Sequence, residues 1–166
     1  MFELKPLHKE AVPAALAKAE RYRLLNEPGQ AESICLDVLR IDPDNQPALI
    51  MLLLALTDLV EQGKTEAVLQ AREVLGRVHE PYERAYYAGI ICERRARAQL
   101  SRGSPGSGFV AYDWFHEAMG WYEKAEAIRP PGNDDAILRW NTCARIITSN
   151  PDLRPRPEES FEHPLE

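Results

Sequence analysis

Ala31-Glu-Ser-Ile-Cys35-Leu-Asp-Val-Leu-Arg-Ile-Asp-Pro43 sets a small residue, a medium apolar residue and a proline at fixed spacing. Ala31 and Cys35 are one helical turn apart and share a face. Pro43 cannot continue a helix and stops it. The spacing returns as Ala118, Tyr122 and Pro130. Two stretches so far apart, built alike, point to a helix used more than once.

Working outward, every long segment reads as helix and every break carries turn chemistry. A first helix is expected from about Lys9 to Leu25, broken by Glu27-Pro28-Gly29. A second covers about Gln30 to Arg40 and ends at Asp42-Pro43-Asp44-Asn45. The third runs from about Gln46 to Val60. A fourth starts after Thr65, read as its N-cap, and ends near His79 before Pro81. The fifth spans about Tyr82 to Leu100 and the sixth about Val110 to Ile128, with the Ser/Gly-rich stretch 101–108 between them read as a flexible loop. Asn133 or Asp134 caps a seventh helix reaching about Thr148. Residues 150–166, proline-rich and acidic, read as an extended or disordered tail with Phe161 and Leu165 as a weak anchor. The domain reading is therefore one helical domain over 1–149 and a tail over 150–166.

The pattern resembles the second half of the tetratricopeptide repeat, A-x3-F…P. In the first repeat, Ala19 falls at the small-residue position of the first helix and Tyr22 at its aromatic position, while Ala15 and Lys18 replace the usual tryptophan and leucine. The second repeat is degenerate, with Ala55 and Ala67 as its small residues and no closing proline. The third offers Ala88-Gly89 where the family prefers Leu-Gly, then Ala118, Tyr122 and Ala125. Gly89 and Ala118 stand much farther apart than the family spacing, because the fifth helix is long and the 101–108 loop follows it. The resemblance implies an all-α, right-handed superhelix of three helix–turn–helix repeats closed by a C-terminal capping helix. On the seventh helix Ile137, Trp140, Ala144 and Ile147 make the inner face of that cap, and Trp140 is expected to be buried against the sixth helix.

Composition bounds the function. The chain has 166 residues, a net charge of −6 and 28% charged residues. The charge argues against a generic phosphate-binding surface, so no nucleic-acid partner is expected. The longest apolar run, Ala48 to Leu56, is far shorter than the roughly 20 residues that cross a bilayer. With no secretory signal at the N-terminus, a cytoplasmic location and no membrane partner are expected. Cys35, Cys92 and Cys143 are odd in number, far apart and set among apolar neighbours, which reads as buried reduced thiols. No nucleophile elbow, P-loop, dinucleotide fingerprint or zinc-protease motif occurs, and His8, His79, His116 and His163 stand at no metal-ligand spacing. Neither catalysis, nor a cofactor, nor a metal is expected.

The run Arg94, Arg95, Arg97 and Arg102 offers a docking patch for an acidic partner or an RNA backbone, or a solvated helix face; the second reading is preferred, because no aromatic residues interleave within it for base stacking. The resemblance implies instead that function lies on a concave face lined by first-helix residues. Carried onto this sequence, those positions are Glu20 and Arg23 in the first repeat and Asp58 in the second. Tyr86, Glu93 and Arg94 follow in the third, with Asn141 and Arg145 on the seventh helix. The implied partner is a protein or an extended peptide. The basic clamp of chaperone-binding repeats is not matched: its positions hold Leu16, Glu20, Leu53, Glu83 and Tyr87, so chaperone C-terminal peptides are not expected. Two other classes compete with the adaptor. One is a small helical enzyme or ligand sensor, with Glu93, Arg94, His116, Asn141 and Arg145 around a pocket lidded by 101–108. The other is a structural subunit of an obligate complex, which a large exposed apolar patch would betray.

Overall fold

Prolines open four of the helices. In the computed structural model, which describes residues 1–158, a single 3-10 turn, Lys9–Ala11, leads into α1 (Val12–Leu24). Then follow α2 (Pro28–Ile41), α3 (Gln46–Glu61), α4 (Ala67–Leu75), α5 (Pro81–Arg102), α6 (Ser107–Ala127) and α7 (Asp135–Ser149), with no strand among the described residues. Pro28 and Pro81 are the first residues of α2 and α5, and Pro13 and Pro47 the second of α1 and α3. Proline's fixed φ suits the first turn, where its missing N–H costs no helical bond. This moves the start of α2 back from the sequence estimate, since Pro28 begins the helix instead of breaking it. Asn45 caps α3, its side-chain oxygen accepting from Ala48 N at 2.9 Å.

Further boundaries differ from expectation. Thr65 caps nothing; it lies in a turn, and α4 starts at Ala67 without a side-chain cap. α4 also stops at Leu75, well short of His79. The chain turns after Gly76 so that Val78 can be fully buried, and His79 pairs with Asp44 at 2.8 Å while its N–H donates to Gln46. The loop read as 101–108 shrinks to 103–106, because α5 runs on to Arg102 and α6 begins at Ser107. Gly103 and Gly106 both hold left-handed backbone, which lets four residues reverse the chain.

Neighbouring helices pair in sequence, α1 with α2, α2 with α3, α3 with α4, α5 with α6 and α6 with α7. α3 also packs on both α1 and α5. The interior falls into two clusters. One is aliphatic and belongs mainly to α1–α4, with Leu49, Leu53, Leu56 and Val38 at its centre. The other joins α5, α6 and α7 around Phe115 and Tyr122. Cys35, Cys92 and Cys143 are all buried free thiols. At Gly89 the Tyr122 ring of α6 lies directly against α5. A Cβ there would stand 2.5 Å from Cε1 of Tyr122, so glycine is needed for the tyrosine ring to lie on α5.

Residues 150–158 have no helix or strand, yet they are not free. Leu153 is only 4% exposed and joins the second cluster, and the Asp152 carbonyl lies against Gly108, leaving no room for a side chain there. This part of the tail is extended, as expected, but its anchor is Leu153, an apolar residue just past α7 that reaches back to the α6 entrance. Trp140 is half-buried rather than enclosed; it does meet α6, its Nε1 donating to Glu123 at 3.1 Å. Residues 159–166, including Phe161, His163 and Leu165, lie outside the described residues.

Candidate functional site

The eight residues singled out from sequence divide into two clusters and three separate side chains. In the first cluster Arg23 of α1, Asp58 and Glu61 of α3 and Arg94 of α5 converge. Arg23 Nε donates to Asp58 Oδ2 at 2.5 Å, and Arg94 Nη2 approaches Asp58 Oδ1 at 3.5 Å. Arg94 Nη1 also donates to Glu61. Asp58 and Glu61 are three apart on α3 and so share a face. The arginines come from the helices on either side of it, which puts α1, α3 and α5 along one surface. These side chains line an open groove of about 550 Å³, with Leu24, Asn26 and Gln62 at its edge. Leu24 is 79% exposed. Glu61 was not among the sequence candidates; its spacing from Asp58 was the available signal.

The cluster's two guanidinium groups face two carboxylates, so it is internally balanced. Arg94 is already engaged by Asp58 and Glu61, and with a side chain 17% exposed it is not a free cation waiting for a ligand carboxylate. Arg94 Nε is buried without a hydrogen-bond partner; the polar groups left over at the surface are the remaining carboxylate lone pairs and the outer N–H groups of Arg23, a set suited to the amides and carbonyls of a backbone.

Glu93 belongs elsewhere. It has no exposed surface and sits between α5, α6 and α7. Tyr122 Oη donates to Oε1 at 3.1 Å and Cys143 Sγ approaches the same oxygen at 3.5 Å. Arg97 Nε and Arg139 Nη1 each donate to Oε2 at 3.2 Å. Both oxygens are thus satisfied, as a buried carboxylate requires. A side chain so enclosed cannot touch a peptide, which removes Glu93 from the groove. The surroundings respond to it. Burial, then the Glu93 charge, pushes the Tyr122 hydroxyl far above its ordinary value, and the same two causes push up the Cys143 thiol. Burial alone would lower Arg139; the Glu93 charge, then the neighbouring Tyr86, outweigh it and hold Arg139 above its usual range. Cys143 is therefore a suppressed thiol, the reverse of an activated nucleophile. Cys35 and Cys92 are pushed up to about 12 by burial.

Tyr86 joins this second cluster through its ring, 5.9 Å from both Tyr82 and Tyr122 and 5.0 Å from Tyr87. It stays half-buried. Glu20 and Arg145 are exposed on α1 and α7, Asn141 is half-buried, and no hydrogen bond or ion pair among the described residues ties them to either cluster. The enzyme-like constellation does not assemble. Glu93 is enclosed, Arg94 is held by α3, and His116 is exposed and stacks on Tyr112. The 103–106 loop borders a cavity of about 330 Å³ shared with Phe109, Asn150 and Arg154, not with those residues. No helix among the described residues is long and apolar enough to cross a membrane, and no cluster of metal-ligating side chains occurs among them.

No protein-family model matches the chain, and no curated protein or solved structure matches it.

Proposed function

We propose that this chain is a non-catalytic helical-repeat adaptor that holds an extended segment of a partner protein along the α1–α3–α5 face. The observation that carries the reading is the groove at Arg23, Asp58, Glu61 and Arg94, where side chains from three consecutive first helices meet in an open channel. Consecutive pairing of helices, with α3 packed on both α1 and α5, is the arrangement that stacked tetratricopeptide-like hairpins require, and α7 then closes the array as its cap. On this reading the face is concave. The balanced charges bind the ligand's backbone, and Leu24 and Leu25, 79% and 63% exposed at the end of α1, supply apolar contact. Three buried reduced thiols agree with a cytoplasmic setting.

The test uses Leu24→Glu with Leu25→Glu, since both side chains are exposed and their loss leaves the core intact. Proteins retained from native lysate by the unaltered chain are compared with those retained by the variant, and calorimetry follows on each one lost. The expected result is a partner whose affinity falls at least tenfold with unchanged circular dichroism. If every retained protein binds the variant equally, the groove is not the site.

A further inference from the structure

The four arginines in the run from Arg94 to Arg102 go to three different places. Arg94 turns to α3 and Arg97 to the buried Glu93. Arg95 and Arg102 lie on another stripe of α5, roughly 100° around the helix from Arg94. α4 flanks this stripe on one side and α6 on the other, each packing on α5. With nine residues against the 22 of α5, α4 leaves part of the stripe uncovered. The result is a groove in two adjoining parts of about 310 and 90 Å³, both lined by Arg72 and Arg95.

Its floor is apolar where Ile91, Cys92 and Ala98 surface between the walls. Leu69 on the α4 wall is 72% exposed, and Trp114 and Trp121 form the α6 wall. The charges in it are unbalanced. Arg72, Arg95 and Arg102 line it, and no ion pair among the described residues neutralises any of them. The Arg95 guanidinium lies 3.6 Å from the Trp114 ring centroid, and Lys124 extends the positive edge over Trp121 at 4.2 Å. Glu117 is the one carboxylate lining the groove among the described residues. Burial, then the charge of Arg72, lowers the pKa of Arg95, so two like charges converge with insufficient opposing charge. In a protein of net charge −6, this concentration of unpaired cations over apolar floor has a definite complement.

We infer that the groove between α4 and α6 is a second docking surface, and that it takes an acidic, leucine-bearing peptide segment of a partner protein. The two α5 cations are seven residues apart, about 10 Å along the helix. Carboxylates two turns apart on a helical ligand span that distance. Leucines between them meet Leu69 and Trp114, the mixture of apolar anchor and charge pairing that helix-in-groove recognition uses. This surface is independent of the α1–α3–α5 groove and does not rest on the function proposed for it.

The probe is a fluorescein-labelled 14-residue peptide of glutamates with leucine at every third or fourth position, followed by anisotropy at low salt. A counterpart with lysine in place of glutamate and a single-stranded oligonucleotide competitor accompany it. Arg72→Glu with Arg102→Glu changes two exposed side chains, and Arg21→Glu with Arg40→Glu is the charge-matched control on α1 and α2. The expected result is saturable binding of the acidic peptide, weakened at least tenfold by the groove pair, unchanged by the control pair and absent for the lysine peptide. Equal loss from both pairs, no loss from either, no saturable binding, or equal binding of the lysine peptide overturns the inference. Displacement by the oligonucleotide, with the same dependence on Arg72 and Arg102, overturns it in favour of nucleic acid.

Discussion

The two halves of the molecule achieve burial by different chemistry. Around α1–α4 the interior is aliphatic, with Leu49, Leu53 and Leu56 all essentially unexposed. Its ion pairs, Arg23 with Asp58 and Arg94 with Glu61, stay at the surface. Around α5–α7 the interior holds a carboxylate that accepts from a tyrosine and a thiol, and its two arginines reach in from the edge. Aliphatic packing is non-directional and tolerates volume-conserving exchange. A buried polar network is directional, and losing one member leaves the others unsatisfied. The first half should therefore respond to substitutions by volume, the second by chemistry.

The largest expected effect is at Glu93. Replacement by Ala strands Arg97, Arg139 and the Tyr122 hydroxyl and should cost about 3–5 kcal/mol, the usual result of breaking a buried ion pair on one side. Urea unfolding measures it. A loss below about 1 kcal/mol would mean that Arg97 and Arg139 find water without cost and that the network does not organise the α5–α7 half. Leu53→Ala is the matched test in the other half. It should cost about 2–5 kcal/mol through transfer and cavity terms, and Leu53→Met should recover most of that loss. No conservative exchange at Glu93, Gln included, should recover as much, because an amide cannot replace the acceptor charge between two guanidinium groups.

Gly89→Ala sharpens the contrast at one methyl group. In an ordinary mid-helix position alanine gains up to about 1 kcal/mol over glycine. At Gly89 the new Cβ meets the Tyr122 ring, so the sign should reverse, to a loss of about 1–3 kcal/mol. Gly29→Ala, in open space on α2, is the control and should be neutral or stabilising. A stabilising Gly89→Ala would show that α6 can move away from α5 without penalty.

The helices were legible because their breaks are written locally: Pro43 with Asn45, Gly103 and Pro130 all end or begin elements near where the sequence places them. The errors at Thr65 and His79 were also local, since a hydroxyl in reach of a helix start and a histidine before a proline do not reveal that Val78 must be buried. At the site, Arg23, Asp58 and Arg94 were readable from their shared helix role. Glu93 was not, because its partners Tyr122, Arg139 and Cys143 come from helices that only the fold brings near. Flanked by Arg94 and four residues from Arg97, it looks like a member of a charged surface. Its nearest warning was the small-residue surroundings of Gly89 and Ala96, which allow close approach of another helix. The α4–α6 groove was hidden for a related reason. The aromatic partner that Arg95 stacks on stands on α6, outside its own run of residues.

The smallest effect should come from Leu153, which separates local docking from global stability. Its side chain is 4% exposed, so a fully coupled site would lose about 2–5 kcal/mol on change to Ala. Leu153 lies beyond α7, however, in a stretch anchored by few contacts: its own N–H to the Asn150 carbonyl, Asp152 N to Asn150 Oδ1, the fit against Gly108, and Arg154 and Arg156 at 5.8 Å from the Phe109 ring. Such a segment can undock while the helices stay folded, and a substitution within it cannot lower global stability by more than docking itself contributes. Burial of one leucine contributes roughly 2 kcal/mol. Ordering each residue of the segment costs about 1–2 kcal/mol, so the net docking energy is small. Leu153→Ala should shift the urea midpoint by the equivalent of about 1 kcal/mol or less, yet abolish exchange protection of the Leu153 and Asp152 amides. Gly108→Ala should reproduce the local loss by filling the space against Asp152. A global loss above about 2 kcal/mol from Leu153→Ala would instead make the segment part of the α5–α7 folding unit, and the contrast between the halves would then extend past the last helix.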